Sequence, residues 1–257
     1  MGILVQRAAI ISAVTGALLT PRALFAAHPQ ITEDTGTQGR GKFQLEHNNE
    51  RGYKEEGTSE TVRSAVSTTL SYGVTGNVDA IFTFPSVRNK TSDAGAIVTD
   101  DGHGDNGYDV KWRFHESGRR SFALKAGVTT PNGDEKMGRG TGKTTYSTYF
   151  VTTMQESLWS WNVHLGRVGN RNSLGDRDEL WHASVGGWRQ IGEKFKLLVD
   201  TGRLTNTDAT APRCLGFVTV GVIYSPVADF DIDLGVKKGL TRSEVDYAWL
   251  AGLTFRF

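Results

Sequence analysis

The chain has 257 residues, of which 38% are hydrophobic and 22% are charged, and its formal net charge at pH 7 is +1. This balance gives no indication of a nucleic-acid partner, and without a run of about 18 apolar residues a mature transmembrane helix is excluded. The single cysteine, Cys214, excludes an internal disulfide. The length and composition are compatible with one all-β domain whose strands each have a polar face.

The N-terminal residues have the features of an export signal. Arg7 supplies a positive charge, residues 8–19 form a short apolar run, and Ala23–Ala27 offers small residues for cleavage. A membrane-anchoring or amphipathic helix is the alternative interpretation. We predict a signal peptide over residues 1–27, followed by a polar, flexible periplasmic segment over residues 28–41.

Strand-like segments then follow one another without helical periodicity. Side chains on a strand alternate between its two faces, so a half-buried strand shows alternating apolar and polar residues. Tyr108–His115 shows this alternation without exception, because four apolar residues alternate with four polar ones. The predicted strands are Lys42–Asn48, Val62–Tyr72, Val78–Val87, Tyr108–His115, Ser121–Thr130, Thr144–Met154, Leu158–Val168, Glu179–Arg189, Lys194–Arg203, Arg213–Tyr224, Phe230–Lys238 and Val245–Phe257.

The last of these segments, Val245–Phe257, is the most informative. One face is wholly apolar and largely aromatic, and the other carries an acid, a base and small residues. Lipid outside and water inside select this pattern in an outer-membrane strand. We therefore predict an all-β fold: an antiparallel, up-and-down transmembrane β-barrel of about 12 strands over residues 42–257, in the outer membrane of a Gram-negative bacterium.

The connections between the predicted strands alternate in length. Outer-membrane barrels have short periplasmic turns and longer extracellular loops, and this alternation matches them. The short turns are Gly73–Asn77, Glu116–Arg120, Gln155–Ser157, Gln190–Glu193 and Ser225–Asp229. The longer loops are Glu50–Thr61, Arg88–Asn106, Pro131–Lys143, Gly169–Asp178 and Leu204–Pro212.

Charged residues on the predicted inner faces are the candidates for the substrate path. Charged groups in a narrow pore set its selectivity. In a small barrel they can equally pair with one another and fill the lumen. The candidates are Lys42, Glu46, Arg63, Asp109, Lys111, Arg113, Lys125, Lys196, Asp200, Asp231, Asp233, Lys237, Asp246 and Arg256.

Three local patterns resemble sites but lack an essential feature. The glycine-rich stretch Gly138–Thr144 leads into a strand and lacks the helix of a phosphate loop. The acidic stretch Asp100–Asn106 does not have EF-hand spacing. Ser160 and His164 are too far apart along one strand for direct contact. No metal, cofactor or catalytic residue is therefore predicted, although pairs that meet across strands leave an enzyme possible.

Four segments resemble a known family of bacterial outer-membrane barrels, named for the MetA-pathway of phenol degradation and often called transporters. The segments are Ile31–Glu46, Ser67–Asp79, Gly107–Phe114 and Ala126–Glu135, and the first is the most specific. The resemblance runs from about Ile31 to the C-terminus. It implies an outer-membrane location and a role in the uptake of aromatic or hydrophobic compounds, and it supplies no catalytic residues.

Two functional hypotheses follow. The first is a channel for passive uptake of small molecules, in which residues 28–41 fold inward as a partial plug. The second is a closed structural or surface-interaction barrel without an open pore. The expected partners are outer-membrane lipid, small-molecule cargo and the barrel-assembly machinery, which would recognise the C-terminal strand that ends at Phe257.

Overall fold

The computed structural model describes residues 28–94 and 96–257, so the predicted signal peptide lies outside the described residues. The described chain forms thirteen strands and a short 3₁₀-helix, η1 (Glu135–Met137). The strands are β1 (Phe43–Glu56), β2 (Ser59–Gly73), β3 (Val78–Asp93), β4 (Ala96–His103), β5 (Asn106–Ser117), β6 (Arg120–Thr130), β7 (Thr145–Gln155), β8 (Trp159–Gly169), β9 (Glu179–Ile191), β10 (Phe195–Thr205), β11 (Cys214–Val227), β12 (Phe230–Gly239) and β13 (Tyr247–Arg256).

Twelve of these strands form a closed antiparallel barrel. β1 pairs with β13 in a register that runs from Gln44 opposite Arg256 to Tyr53 opposite Tyr247, and this pairing closes the ring. Closure leaves no unpaired sheet edge in lipid. The predicted transmembrane barrel of about 12 strands is thereby confirmed.

β4 is the strand that does not belong to the ring. It pairs with residues 86–93 of β3, whereas residues 78–83 of β3 pair with β5. The β3–β4 hairpin therefore extends the barrel wall outward on the extracellular side. Here the sequence prediction was wrong: Arg88–Asn106 was expected to be a loop, yet most of it is a paired hairpin.

The predicted loop Glu50–Thr61 is also a strand hairpin in the structure. β1 continues to Glu56, which pairs with Ser59 at the start of β2, so only two residues remain for the turn. Beyond the membrane both faces of a hairpin contact water, so the apolar–polar alternation that reveals a lipid-facing strand disappears. The strands are therefore longer on the extracellular side than the sequence pattern shows.

The two faces of the wall differ as predicted. On β8, Trp161 and Leu165 are 42% and 46% exposed on the outside, whereas Asn162 and His164 are fully buried inside. Trp188 differs from the five other tryptophans because it lines the lumen, where its ring lies 4.9 Å from Nζ of Lys196.

Val245 is a correction at the last strand. The sequence pattern placed it on the lipid-facing side, yet β13 begins only at Tyr247. Val245 is buried and packs against Ala248, and Gly52, which has no side chain, leaves room for it.

In the part of the chain that the structure describes, no helix is long and apolar enough to cross a membrane.

Candidate functional site: the barrel lumen

A cavity of about 710 Å³ runs inside the barrel. Lys42 and Arg256 line it where the strands meet the periplasmic turns, and Arg139 and Asp176 line it from the extracellular loops. The cavity therefore extends toward both ends of the lumen. It is the place where a solute would have to pass.

Most of the predicted substrate-path residues lie on this cavity. Their placement follows from strand parity, because residues separated by two positions share a face. Those that line the cavity are Lys42, Glu46, Arg63, Asp109, Lys111, Lys125, Lys196, Asp231 and Arg256.

The other five candidates lie away from the cavity. Asp200 and Asp233 are covered by the N-terminal segment, and Lys237 is buried in an ion-pair cluster. Arg113 pairs with Glu116 at 3.2 Å. Asp246 lies 3.5 Å from Lys54, just before β13 begins.

Residues 28–41 lie within the lumen and follow the inner wall around it. Asp200 of β10 anchors the first part: its carboxylate accepts hydrogen bonds from the backbone N–H groups of Ile31 and Thr32 at 2.5 and 2.9 Å. The Thr32 hydroxyl is 2.7 Å from that of Ser184 on β9. His28 bonds to Asp233 on β12. The segment thus makes specific polar contacts with successive strands.

Glu33 is the charged anchor of this segment. Its carboxylate accepts hydrogen bonds from Lys125 at 2.9 Å and from Lys111 at 3.1 Å, and all three side chains are buried. Asp34 lies 3.8 Å from Lys111 and adds a second, more exposed carboxylate. A buried charge is tolerated only when it is paired and hydrogen-bonded. Glu33 was absent from the predicted substrate-path residues.

A cluster of rings lies beside Glu33. The rings of His164 and His182 are 4.5 Å apart, and Tyr149 lies 5.0 Å from His164. The backbone N–H of Glu33 points toward Nδ1 of His164 at 3.4 Å, and His182 bonds to Ser184 at 2.7 Å. These side chains fill the lumen between the segment and strands β7–β9.

The second part of the segment leads back to the periplasmic end. The N–H of Thr35 donates to the hydroxyl of Thr153 at 3.0 Å, and the N–H of Gln38 donates to Asp79 at 3.0 Å. The N–H of Gly41 then donates to the carbonyl of Gly73 at 2.8 Å, just before β1 begins. The segment therefore crosses the lumen and narrows it from one side.

Glycines in the wall leave the space in which the start of the segment lies. A Cβ atom added to Gly235 would come within 2.9 Å of Pro29, and one added to Gly221 within 2.6 Å. At Gly186 it would lie 2.7 Å from Gln30. Real Cβ atoms do not approach so closely, so only glycine at these positions leaves room for the segment where it lies. The sequence contained this signal as inward glycines on β9, β11 and β12.

Two further ion-pair groups fill other parts of the lumen. Lys237 of β12 bonds to Glu50 of β1 and lies 3.6 Å from Glu244, which belongs to the extracellular loop between β12 and β13. Arg256 and Asp231 pair at 2.6 Å near the periplasmic end. The lumen charges are therefore mostly paired, and paired charges contribute less to a net field than isolated ones.

The wall formed by β2 and β3 is different in character. Hydroxyl groups face the cavity there: Thr69 lies 3.5 Å from Ser67 and 3.3 Å from Thr83. Ser71 continues the same face of β2 toward the periplasm. Hydroxyls both donate and accept hydrogen bonds. This wall can exchange hydrogen bonds with a passing polar group without a fixed charge.

The loop between β6 and β7 folds over the extracellular end of the cavity. Asp105 accepts hydrogen bonds from the N–H groups of Gly133 and Thr141, both at 2.8 Å. Arg139 lies 3.5 Å from both Asp100 and Asp134, and it lines the cavity. The loop therefore has a defined position above the lumen.

Asp176 lines the same end from the loop between β8 and β9. Partial burial raises the pKa of its carboxyl, and the nearby carboxylate of Asp208 raises it further. Asn172 holds the backbone of this loop through the N–H of Asp176 at 3.0 Å. Asp176 is thus a titratable group at the mouth of the cavity.

The side chains of the lumen define the contacts that the cavity offers. Within residues 28–94 and 96–257, no cluster of histidine, cysteine or acidic side chains has the geometry of a metal site. Cys214 is a free, half-buried thiol. The lumen offers hydroxyls, paired charges and a few rings, which can form hydrogen bonds and stacking contacts.

The closed barrel, apolar outside and polar inside, defines this protein as a β-barrel of the Gram-negative outer membrane. The chain belongs to the family described as "Putative MetA-pathway of phenol degradation", whose model matches residues 27–257.

Solved structures share the fold at low sequence identity. The COG4313 outer membrane channel from Pseudomonas putida F1 is 13% identical, with a TM-score of 0.68 over 87% of this chain and 98% of that one. The translocator domain of the autotransporter NalP from Neisseria meningitidis is 12% identical, with a TM-score of 0.51 over 87% and 91%. The KdgM porin is 9% identical, with a TM-score of 0.50 over 83% and 99%. Among curated proteins no match was found.

Proposed function

We propose that this protein is a narrow outer-membrane channel for the passive uptake of small molecules. The observation that carries the proposal is the cavity. Residues near both mouths of the barrel line it, so it extends along the lumen even though residues 28–41 occupy part of that space. Its volume of about 710 Å³ falls in the range of roughly 300–1,000 Å³ that is typical of small-molecule sites. Two of the similar structures are named as a channel and a porin, which is consistent with this role.

The cargo that we propose is a small aromatic compound with polar substituents. The family description refers to phenol degradation. Trp188 lines the cavity near the periplasmic end, and the hydroxyls of β2 and β3 line its middle. Rings offer stacking partners and hydroxyls offer hydrogen bonds, so together they suit a ring that bears hydroxyl groups. We propose no enzymatic step.

The ion pairs of Glu33 favour the second candidate, a closed structural barrel. Lys111 and Lys125 hold the segment in the lumen by buried contacts, and such contacts would keep a pore shut. The two candidates differ in what the native protein lets through. Electrophysiology separates them directly.

The test is the conductance of the purified full chain in planar bilayers, compared with a variant that lacks residues 28–41. The channel proposal predicts small discrete steps for the full chain and larger steps for the variant. A full chain that stays silent, beside a variant that conducts, would favour the closed barrel. Liposome swelling with phenol and with a sugar of similar size then tests the cargo, and the proposal predicts faster entry of phenol.

A further inference from the structure

Four basic side chains lie on the outer face of the barrel toward its extracellular side. Arg51 belongs to β1, Arg88 and Lys90 to β3, and Lys238 to β12, and all four are exposed. In the described parts of the chain, none of them has an acidic group within ion-pair distance. Cations on the outside of a membrane barrel require an explanation, because a lipid-facing charge is costly except near the interfaces.

The strand register brings two of these cations together. Arg51 on β1 is opposite Ser64 on β2, and Ser64 is opposite Arg88 on β3. Opposite residues point to the same face, and neighbouring strands are about 4.8 Å apart, so the two arginines stand roughly 10 Å apart along one row. Ser64 between them is small. In the structure the Arg51 guanidinium lies over the Tyr53 ring, 5.6 Å from its centroid. A change of rotamer would bring both guanidinium groups to one anionic group over Ser64.

Aromatic side chains mark the level of the membrane interface beside this row. Trp249 is opposite Arg51 and is 58% exposed, and the rings of Tyr53 and Tyr247 stack with centroids 4.8 Å apart. Lys238 is opposite Tyr247 on β12. Tryptophan and tyrosine concentrate where lipid headgroups begin. Arg51 and Lys238 therefore lie beside aromatic side chains of the kind that concentrate at lipid headgroups.

Acidic residues near the patch do not neutralise it. Asp101 on β4 is opposite Arg88, without an ion pair between them. Glu55 and Glu60 are opposite each other, one row beyond Tyr53 and Val62 on the same face. Elsewhere on the outer face the pattern differs: Arg167 bonds directly to Glu179. The patch thus keeps an excess of positive charge, which favours an anionic partner.

We propose that Arg51 and Arg88, flanked by Lys90 and Lys238, bind phosphate groups of an outer-leaflet glycolipid, the chemical class of lipopolysaccharide. A guanidinium group matches two phosphate oxygens at once, which explains why arginines occupy the central row. The lysines reach headgroups with their flexible side chains. The stacked tyrosines supply a flat surface for a sugar ring. This site is separate from the lumen and does not depend on the proposed channel.

The experiment measures binding of purified lipid A to the full chain in detergent by native mass spectrometry. The proposal predicts that the variant R51Q/R88Q binds bisphosphorylated lipid A about tenfold or more weakly, since each arginine would lose a charge-assisted bond. The matched control is R189Q, because Arg189 is also exposed on the outside, packed on Trp159 near the periplasmic turns. The control should bind like the native chain. R51K/R88K, which keeps the charge but loses the fork of donors, should fall between them.

Three probes identify the ligand. Lipid A without phosphates should bind the native chain as weakly as bisphosphorylated lipid A binds R51Q/R88Q. Equal binding of the two lipids, or an equal loss in R189Q, would overturn the proposal. Displacement of the lipid by millimolar inorganic phosphate would assign the patch to free phosphate and overturn the lipid assignment. Heat-modified migration in gels shows that each variant is folded, and R51K/R88K carries the test if R51Q/R88Q does not fold.

Discussion

The carboxylate of Glu33 lies 2.9 Å from Nζ of Lys125, and both groups are buried inside the barrel. These residues are 92 positions apart in the sequence. The contact joins a segment that precedes the first strand to the wall of the sixth. It therefore determines where the N-terminal segment lies and how much of the lumen stays free.

Glu33→Gln is expected to loosen the segment. The change leaves buried Lys125 without its paired anion and Lys111 with only Asp34 at 3.8 Å, and breaking a buried pair costs on the order of 3–5 kcal/mol. We expect a lower thermal unfolding temperature and a larger mean conductance in planar bilayers. Glu156→Gln is the control, because Glu156 forms an exposed pair with Arg119 and such pairs contribute only about 0–1 kcal/mol. Unchanged conductance in Glu33→Gln would show that the segment is held by other contacts.

Gly235→Ala is expected to displace the start of the segment. The added Cβ would come within 2.9 Å of two atoms of Pro29 and within 3.1 Å of the carbonyl of Val220. Overpacking of this kind typically costs about 1–3 kcal/mol. Conductance should rise, and the rise should be absent when residues 28–41 are deleted. Gly169→Ala, where the nearest atom lies 3.9 Å away, should behave like the native protein.

The barrel itself could be predicted from the sequence because lipid imposes a simple pattern. On β8, tryptophan, valine and leucine alternate with serine, asparagine and histidine, and this alternation marks both the strand and its facing. Where water contacts both faces of a strand, apolar and polar residues do not alternate, so the sequence does not reveal the strand. The outer parts of β1 to β4 were therefore expected to be loops, although the structure pairs them.

The lumen was harder to predict than the wall. Strand parity placed Lys111 and Lys125 inside, but it says nothing about the partner that comes from outside the sheet. Glu33 lies in a polar segment that has no periodicity, and its partners are 78 and 92 residues away. Only three-dimensional packing brings them together, so the sequence favoured an open lumen and left a paired one as the alternative.

Arg139→Gln is expected to release the loop that covers the extracellular end of the cavity. The native side chain lies 3.5 Å from both Asp100 and Asp134, and it bonds to the carbonyl of Asp101. Without the guanidinium group, three acceptors lose their shared donor. Single-channel recordings should show more frequent fluctuations, with little change in thermal unfolding. Recordings as quiet as those of the native chain would contradict this role. Arg171→Gln, an exposed change in a neighbouring loop, is the control.

Asp176→Asn is expected to stabilise the protein at neutral pH. The folded state raises the pKa of Asp176, so it binds this proton more tightly than the unfolded state does. Stability from this group is therefore gained as the pH falls through the raised pKa and is lost above it. Asparagine mimics the protonated form at every pH. Thermal unfolding should show an advantage of Asp176→Asn at pH 7 that shrinks in acid, and an advantage that grows in acid would contradict the sign.

Disulfide trapping in the membrane shows whether residues 28–41 lie in the lumen. The hydroxyls of Thr32 and Ser184 are 2.7 Å apart, so the variant Thr32→Cys/Ser184→Cys, made in a Cys214→Ser background, places two thiols side by side. We predict rapid, nearly complete cross-linking in intact outer membranes under mild oxidation. If both cysteines instead stay reduced, and residue 32 reacts freely with a bulky maleimide from the periplasmic side, the segment lies outside the barrel, contrary to this prediction.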